Sequence, residues 1–202
     1  MIAELERVSG GPVSRETCER LKAFAARLRD ANQRQNLVAA STLDHLWERH
    51  ILDSAQLLRF EPRPRASWVD VGSGAGLPGI VIACLAEGPV TLVEPRRLRA
   101  EFLRETVEAL DLHATVECAK VERISGRFDV ITARAVAPLG KLLGISRHLS
   151  HRGTVWALPK GKNAKSELAD AKRAWQGAFH VEQSVTDVDS FIVVGTGVRA
   201  KR

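Results

Sequence analysis

Ser14 stands ahead of apolar residues at Cys18, Leu21, Phe24, Leu28 and Ala31. Steps of three and four behind a hydroxyl residue predict an N-capped amphipathic helix. A second helical pattern runs from Leu43 to Leu58, with Leu46, Trp47, Ile51, Leu52 and Ala55 as its apolar set. Pro62 and Pro64 close it and mark a linker. Residues 1–64 therefore read as a helical extension and 65–202 as a separate domain. From residue 67 the pattern alternates. "SWVDV", "VTLVE", "TVECA", "FDVITARA" and "TVWAL" read as buried strands. Between them lie helical stretches at "LPGIVIACLA", "LRAEFLRETVEAL" and "PLGKLLGISRHL", with "AKSELADAKRAW" after the fifth strand. In the second of these, Leu98, Phe102, Leu103, Val107 and Leu110 line one side. Strands separated by helices form a parallel sheet with right-handed crossovers. The last two strands, "HVEQSVT" and "FIVVGT", are separated only by "DVDS" and must pair as an antiparallel hairpin. The expectation is an α/β, Rossmann-like, mostly parallel seven-stranded sheet ending in that hairpin.

The first strand runs into "WVDVGSGAGLPG". A strand, a glycine turn and a helix start form a nucleotide site at the carboxyl edge of a sheet. Two registers are possible. Gly74, Gly76 and Gly79 fit the dinucleotide fingerprint G-x-G-x-x-G, whereas Asp70 followed by Gly72, Gly74 and Gly76 suits S-adenosylmethionine. Glu94 ends the second strand, where an acid binds the hydroxyls of either cofactor's ribose. Three features favour the methyl donor. Asp70 would repel a pyrophosphate and attract a cationic methionine end. Val121 and Glu122, in "AKVER", are placed to meet an adenine edge. The terminal hairpin suits a methyltransferase sheet. The Gly74 register then reads as Pro78-Gly79 opening a helix.

Composition changes this picture little. The 202 residues are 45% hydrophobic and 27% charged, an ordinary globular mix. No apolar run is long enough to span a bilayer, and the acidic start does not resemble a signal peptide. Cys18, Cys84 and Cys118 each fall in an apolar pattern and are expected as buried thiols in a reducing cytoplasm. The net charge of +6 matters more for its distribution. Basic residues group at Arg59, Arg63 and Arg65, at Arg96, Arg97 and Arg99, at Lys160, Lys162 and Lys165, and at Arg199, Lys201 and Arg202. Three of these groups lie just outside predicted elements, within reach of phosphates.

Together these residues resemble a known family, the small-subunit ribosomal RNA guanine-N7 methyltransferases, also called glucose-inhibited division protein B (GidB or RsmG). "NLVAAS" and "ERHILDSAQLL" resemble its N-terminal signature and "VDVGSGAGLPGI" its cofactor turn. "ITARAVAPL" resembles its fourth-strand motif and "LPKGKN" its fifth. The four motifs span nearly the whole chain in the family's order. Glu94-Pro95 replaces an acid followed by Ser in some relatives, and the acid survives. The resemblance implies a class I S-adenosylmethionine-dependent methyltransferase fold and methylation of N7 of one guanine in 16S rRNA. It implies cofactor contacts at Gly72, Leu77, Val121, Glu122 and Arg134, with Glu94 at the ribose. The expected partner is 16S rRNA in the small ribosomal subunit, with no membrane association and a monomeric protein.

Guanine N7 carries a lone pair and no proton, so no general base is required. The chain agrees by omission: it lacks an Asn/Asp-Pro-Pro-aromatic motif and a cysteine placed as a nucleophile. Positioning candidates are Arg134, expected to grip a carboxylate or phosphate, and Lys160, expected to meet a phosphate or guanine O6. His50, Asp53 and Ser54 share one helical surface, read as packing the extension over the cofactor cleft. Asn36 is expected to order its loop. The competing readings are a methyltransferase of the same fold acting on another RNA such as tRNA, a dinucleotide-dependent oxidoreductase, and a non-catalytic RNA-binding module.

Overall fold

The alternation from Trp68 onward produces one seven-stranded sheet, in a computed structural model that describes residues 1–201. Arg202, the last of the tail's basic group, lies outside them. The strands are β1 (Trp68–Val71), β2 (Val90–Val93), β3 (Ala114–Glu117), β4 (Phe128–Thr132), β5 (Ser150–Pro159), β6 (Trp175–Gln183) and β7 (Phe191–Ala200). Their order is β3-β2-β1-β4-β5-β7-β6. β1 pairs in parallel with β2 and β4, β2 with β3, and β4 with β5. β7 runs antiparallel to both β5 and β6, which is the expected terminal hairpin. All four residues of β1 are buried, as a central parallel strand covered on both faces requires.

The helices are α1 (Ile2–Ser9), α2 (Arg15–Asn32), α3 (Asp53–Ala55), α4 (Gly79–Leu85), α5 (Arg97–Ala109), α6 (Leu139–Ser146) and α7 (Ala164–Ala171). Ser14 caps α2 as its sequence predicts, accepting the Thr17 N–H at 3.0 Å. Residues 1–64 do not stand apart. Leu5, Leu21, Phe24, Leu28 and Ile51 share one core with Trp68, Ile80, Leu92 and Phe102 on one face of the sheet. The other face packs Val69, Val71 and Ile131 against Leu139, Leu142 and Leu168. Each large apolar side chain fully buried this way contributes about 1.5–3 kcal/mol.

Several local expectations need correction. α1 falls in a stretch that sequence leaves unassigned; its acidic surface hides Leu5 and Val8, both fully buried. The predicted helix over 43–58 is irregular: a π turn (Trp47–Leu52) passes into α3 and then a 3₁₀ turn (Gln56–Phe60). Leu98 does not join its helix's apolar side and is 65% exposed, because α5's buried stripe begins at Ala100. The helix ending at Trp175 stops at Ala171, and Trp175 opens β6. Cys18 and Cys84 are buried, but Cys118 is exposed just past edge strand β3. Asn32, rather than Asn36, orders the loop after α2 by accepting the N–H groups of Leu37 and Val38 at 2.9 Å.

Gly79 is more than a helix opener. A Cβ there would sit against Leu92 and 2.6 Å from Asp70 Oδ2. It lets α4 lie directly on β1 and β2, the packing task of the third glycine in the dinucleotide fingerprint.

Candidate active site

β1 is flanked by β2 on one side and β4 on the other, so the chain direction of successive crossovers reverses there and opens a crevice at the carboxyl ends. A cleft of about 380 Å³ lies over this point, lined by Gly72, Glu94, Val121, Glu122, Ala135 and Val136, with Arg96 and Arg99 at the start of α5. Glu94 ends β2 and is buried. Its Oε2 accepts the Gly74 N–H at 2.9 Å and its Oε1 the Arg96 N–H at 2.9 Å. One carboxylate thus ties the glycine turn to the entry of α5. Gly72 has φ +70°, and a Cβ there would stand 2.6 Å from Val136 Cγ2. Glycine is the residue that both the turn and the neighbouring loop permit.

Asp70 is 1% exposed beneath the turn. Its Oδ2 accepts the Gly79 N–H at 3.1 Å, and its Oδ1 has no partner. Burial pushes its carboxyl up to about 7, against the opposing hydrogen bond from Gly79, while Ser73 Oγ donates to the Asp70 carbonyl at 2.9 Å. A buried, half-satisfied acid of this kind is suited to a nearby positive charge. Leu77 is buried in the same turn, among the core residues that support it.

A second cavity of about 500 Å³ adjoins the first. It spans the carboxyl ends of β4 and β5 and the start of β7, and shares Ala135 and Val136 with the cleft. Arg134 lines this cavity. Its guanidinium donates to His50 Nδ1 at 3.2 Å and stands 3.6 Å from Asp53 Oδ2. Arginine only donates, so His50 Nδ1 is the acceptor; its Nε2–H then donates to Thr42 Oγ1 at 2.9 Å. Burial, with Arg134 beside it, lowers His50 to about 4, so the ring is neutral. Burial raises the Asp53 carboxyl above its usual range while Arg134 pulls it down. Asp53 Oδ1 accepts from Gln56 Nε2 at 2.8 Å and Thr186 Oγ1 at 3.0 Å. The network joins the extension, the loop after β4 and the β6–β7 connection.

Lys160 follows β5 and is held from two sides. Its Nζ donates to Ala137 O at 2.6 Å and pairs with Glu167 Oε2 at 3.0 Å. The same Oε2 accepts the Leu139 N–H at 2.8 Å at the start of α6.

The crevice brings Gly72, Glu94, Val121 and Glu122 to the first cleft, and Arg134, Lys160, His50 and Asp53 to or beside the second. Ser54 leaves the group, buried with an unpartnered hydroxyl. Sequence reasoning misses Glu167, Gln56, Thr42 and Thr186. Glu167 sits on a charged amphipathic helix and carries no local signal; only its distance from Lys160 in space marks it. Among the described residues there is no cluster suited to hold a metal ion, and no helix is long and apolar enough to cross a membrane.

Comparison with known proteins agrees with this geometry. The family model described as rRNA small subunit methyltransferase G (GidB) matches residues 17–191. The ribosomal RNA small subunit methyltransferase G of Zymomonas mobilis subsp. mobilis is 48% identical over 199 residues, covering 94% of this chain and 90% of that one. Its counterpart from Erythrobacter litoralis is 50% identical over 186 residues, covering 91% and 89%. Among solved structures, ribosomal protein L11 methylase from Lactobacillus delbrueckii subsp. bulgaricus superposes with a TM-score of 0.58 at 15% identity, covering 76% of this chain and 79% of that one. TYW2 from M. jannaschii, determined in complex with AdoMet, superposes with a TM-score of 0.57 at 14% identity, covering 75% and 76%. The structural likenesses establish a class I methyltransferase fold. With the family model spanning most of the sequence and close relatives matched nearly end to end, the chain belongs to the rRNA small subunit methyltransferase G (GidB) family.

Proposed function

We propose that this protein transfers a methyl group from S-adenosylmethionine to N7 of a guanine in 16S rRNA. The observation that carries the reading is the junction of two cavities across one loop: Ala135 and Val136 border both the cleft at the glycine turn and the cavity over β4, β5 and β7. A donor in the first and a base in the second would meet there.

The residues suit the cofactor. Glu94 at the end of β2 would hold the ribose, Val121 and Glu122 the adenine, and Gly72 and Gly74 would let the backbone approach. Asp70, with Leu77 supporting the turn above it, would favour the cationic end through its field. When bound, S-adenosylmethionine supplies an electrophilic methyl carbon on a sulfonium. The acceptor nitrogen brings its own lone pair, so no side chain has to remove a proton. The chain contributes position, holding N7 in line with the methyl, and tolerance of the positive charge left on the base. Arg134, fixed by His50 and Asp53, keeps the dividing loop in place, and Arg96 and Arg99 beside the cofactor cleft would meet phosphates, whereas Arg63 and Arg199 lie at the opposite, amino edge of the sheet.

The test is transfer of labelled methyl to deproteinised small-subunit RNA, to partly assembled ribonucleoprotein and to whole small subunits, with tRNA offered in parallel. Label in RNA from any of the three supports the reading. Label in none of them, or label in tRNA alone, overturns it.

A further inference from the structure

We propose that Lys160 and Glu167 form a donor–acceptor pair that reads the edge of the target guanine in the second cavity; this rests on the function proposed above. Lys160 lines the cavity with its side chain 7% exposed. An ammonium has three N–H donors. Ala137 O takes one and Glu167 Oε2 another, which leaves one for a ligand. Glu167 also lines the cavity. Its Oε2 is engaged by Lys160 and Leu139, while its Oε1 has no hydrogen bond among the described residues.

The two side chains touch at 3.0 Å and both line the cavity, which sets a donor residue next to an acceptor residue. Guanine presents the complement on adjacent atoms: O6 accepts and N1–H donates. Adenine presents the reverse at the same two positions, a donor at N6 and an acceptor at N1, so it would face Lys160 with a donor and Glu167 with a lone pair. The order of groups also sets the orientation. Lys160 is anchored between Ala137, on the loop shared with the cofactor cleft, and Glu167, on α7. On guanine, O6 lies between N7 and N1. With O6 at Lys160 and N1 at Glu167, N7 would lie on the side of Lys160 away from Glu167, within the cavity that Ala135 and Val136 also line. Contact with O6 and N1 leaves the N7 lone pair free, which a bidentate grip on O6 and N7 would not.

The experiment first locates the methylated guanine by mass spectrometry, then replaces that base in ligated small-subunit RNA with inosine, adenine or 2,6-diaminopurine. All three keep N7. Inosine keeps O6 and N1–H; the other two reverse both. With the unaltered protein, inosine is expected within about tenfold of guanine in kcat/KM, and adenine and diaminopurine at least about 30-fold lower. Glu167→Gln, which can present either an N–H or an oxygen, is expected to shrink the guanine-to-diaminopurine ratio at least about fivefold while S-adenosylmethionine binding by calorimetry is unchanged. Diaminopurine accepted as well as guanine by the unaltered protein would overturn the pair as a reader. So would a Glu167→Gln protein that loses both substrates in proportion, the mark of a structural role. The substrate series stands if that variant does not fold. Failure to methylate guanine itself would sink the proposed function, a separate outcome.

Discussion

Asp70 and His50 are buried titratable groups displaced in opposite directions, and their effects on stability oppose one another. The Asp70 carboxyl is raised from its ordinary 3.8 to about 7. The folded state therefore holds a proton that the unfolded chain releases, and its stabilising contribution is complete below about pH 4 and lost as pH rises through 7. His50 is lowered from 6.5 to about 4, so its contribution is present above pH 6.5 and lost as pH falls through 4. Asp70→Asn should gain in Tm relative to the unaltered protein as pH climbs from 4 to 7; His50→Gln should lose over 4 to 6.5. Scanning calorimetry across that range checks both, and a parallel pH profile for either variant would contradict the assignment. Glu94 was legible from its position at the end of β2, but its bonds to Gly74 and Arg96 were not, because they depend on how the turn folds back. Glu94→Ala removes the proposed acceptor of the ribose hydroxyls as well as the tie between the turn and α5; a loss of about 2 kcal/mol of ligand contact corresponds to S-adenosylmethionine binding weakened about 30-fold, checked by calorimetry. Unchanged affinity would remove Glu94 from the site.

Among the elements, regular strands and their connections were readable and the irregular helix was not. "DVDS" is too short for a crossover, so the hairpin followed from chain length alone. The π turn at Trp47–Leu52 has no such signature: its apolar residues recur at helical spacing whichever hydrogen-bond ladder forms. That turn nonetheless sets the path of His50 and Asp53 toward Arg134. Trp175 is ambiguous for a related reason: an aromatic residue after a helical run fits the end of a helix or the start of a strand, and here it opens β6. Gly79 shows what a motif can hide. Its contact with Asp70 and Leu92 leaves no room for a methyl group. Gly79→Ala should force α4 from the sheet, at a cost of about 1–3 kcal/mol, and lower Tm by several degrees. A Tm within one degree of the unaltered protein would show that α4 can shift freely.

Over the whole molecule, the division at residue 64 describes sequence style more than physical separation. Composition and periodicity change there, yet the apolar faces of α1 and α2 close the same core that α4 and α5 line. Which surfaces meet is a tertiary fact that a linker with two prolines does not disclose. We propose that the extension and the sheet fold as one unit. Phe24→Ala empties a fully buried position in the extension. It should cost about 3–5 kcal/mol and lower a single thermal transition by roughly 10 °C, with S-adenosylmethionine binding lost in the same step. Two transitions, with binding retained through the first, would show that the extension is independent.

The proposed function implies one chemical product. Small-subunit rRNA treated with this protein and S-adenosylmethionine should carry a single added methyl group, which nuclease digestion and tandem mass spectrometry would place on N7 of one guanine. A methyl group found on another atom of guanine, on another base or on no RNA at all would contradict it.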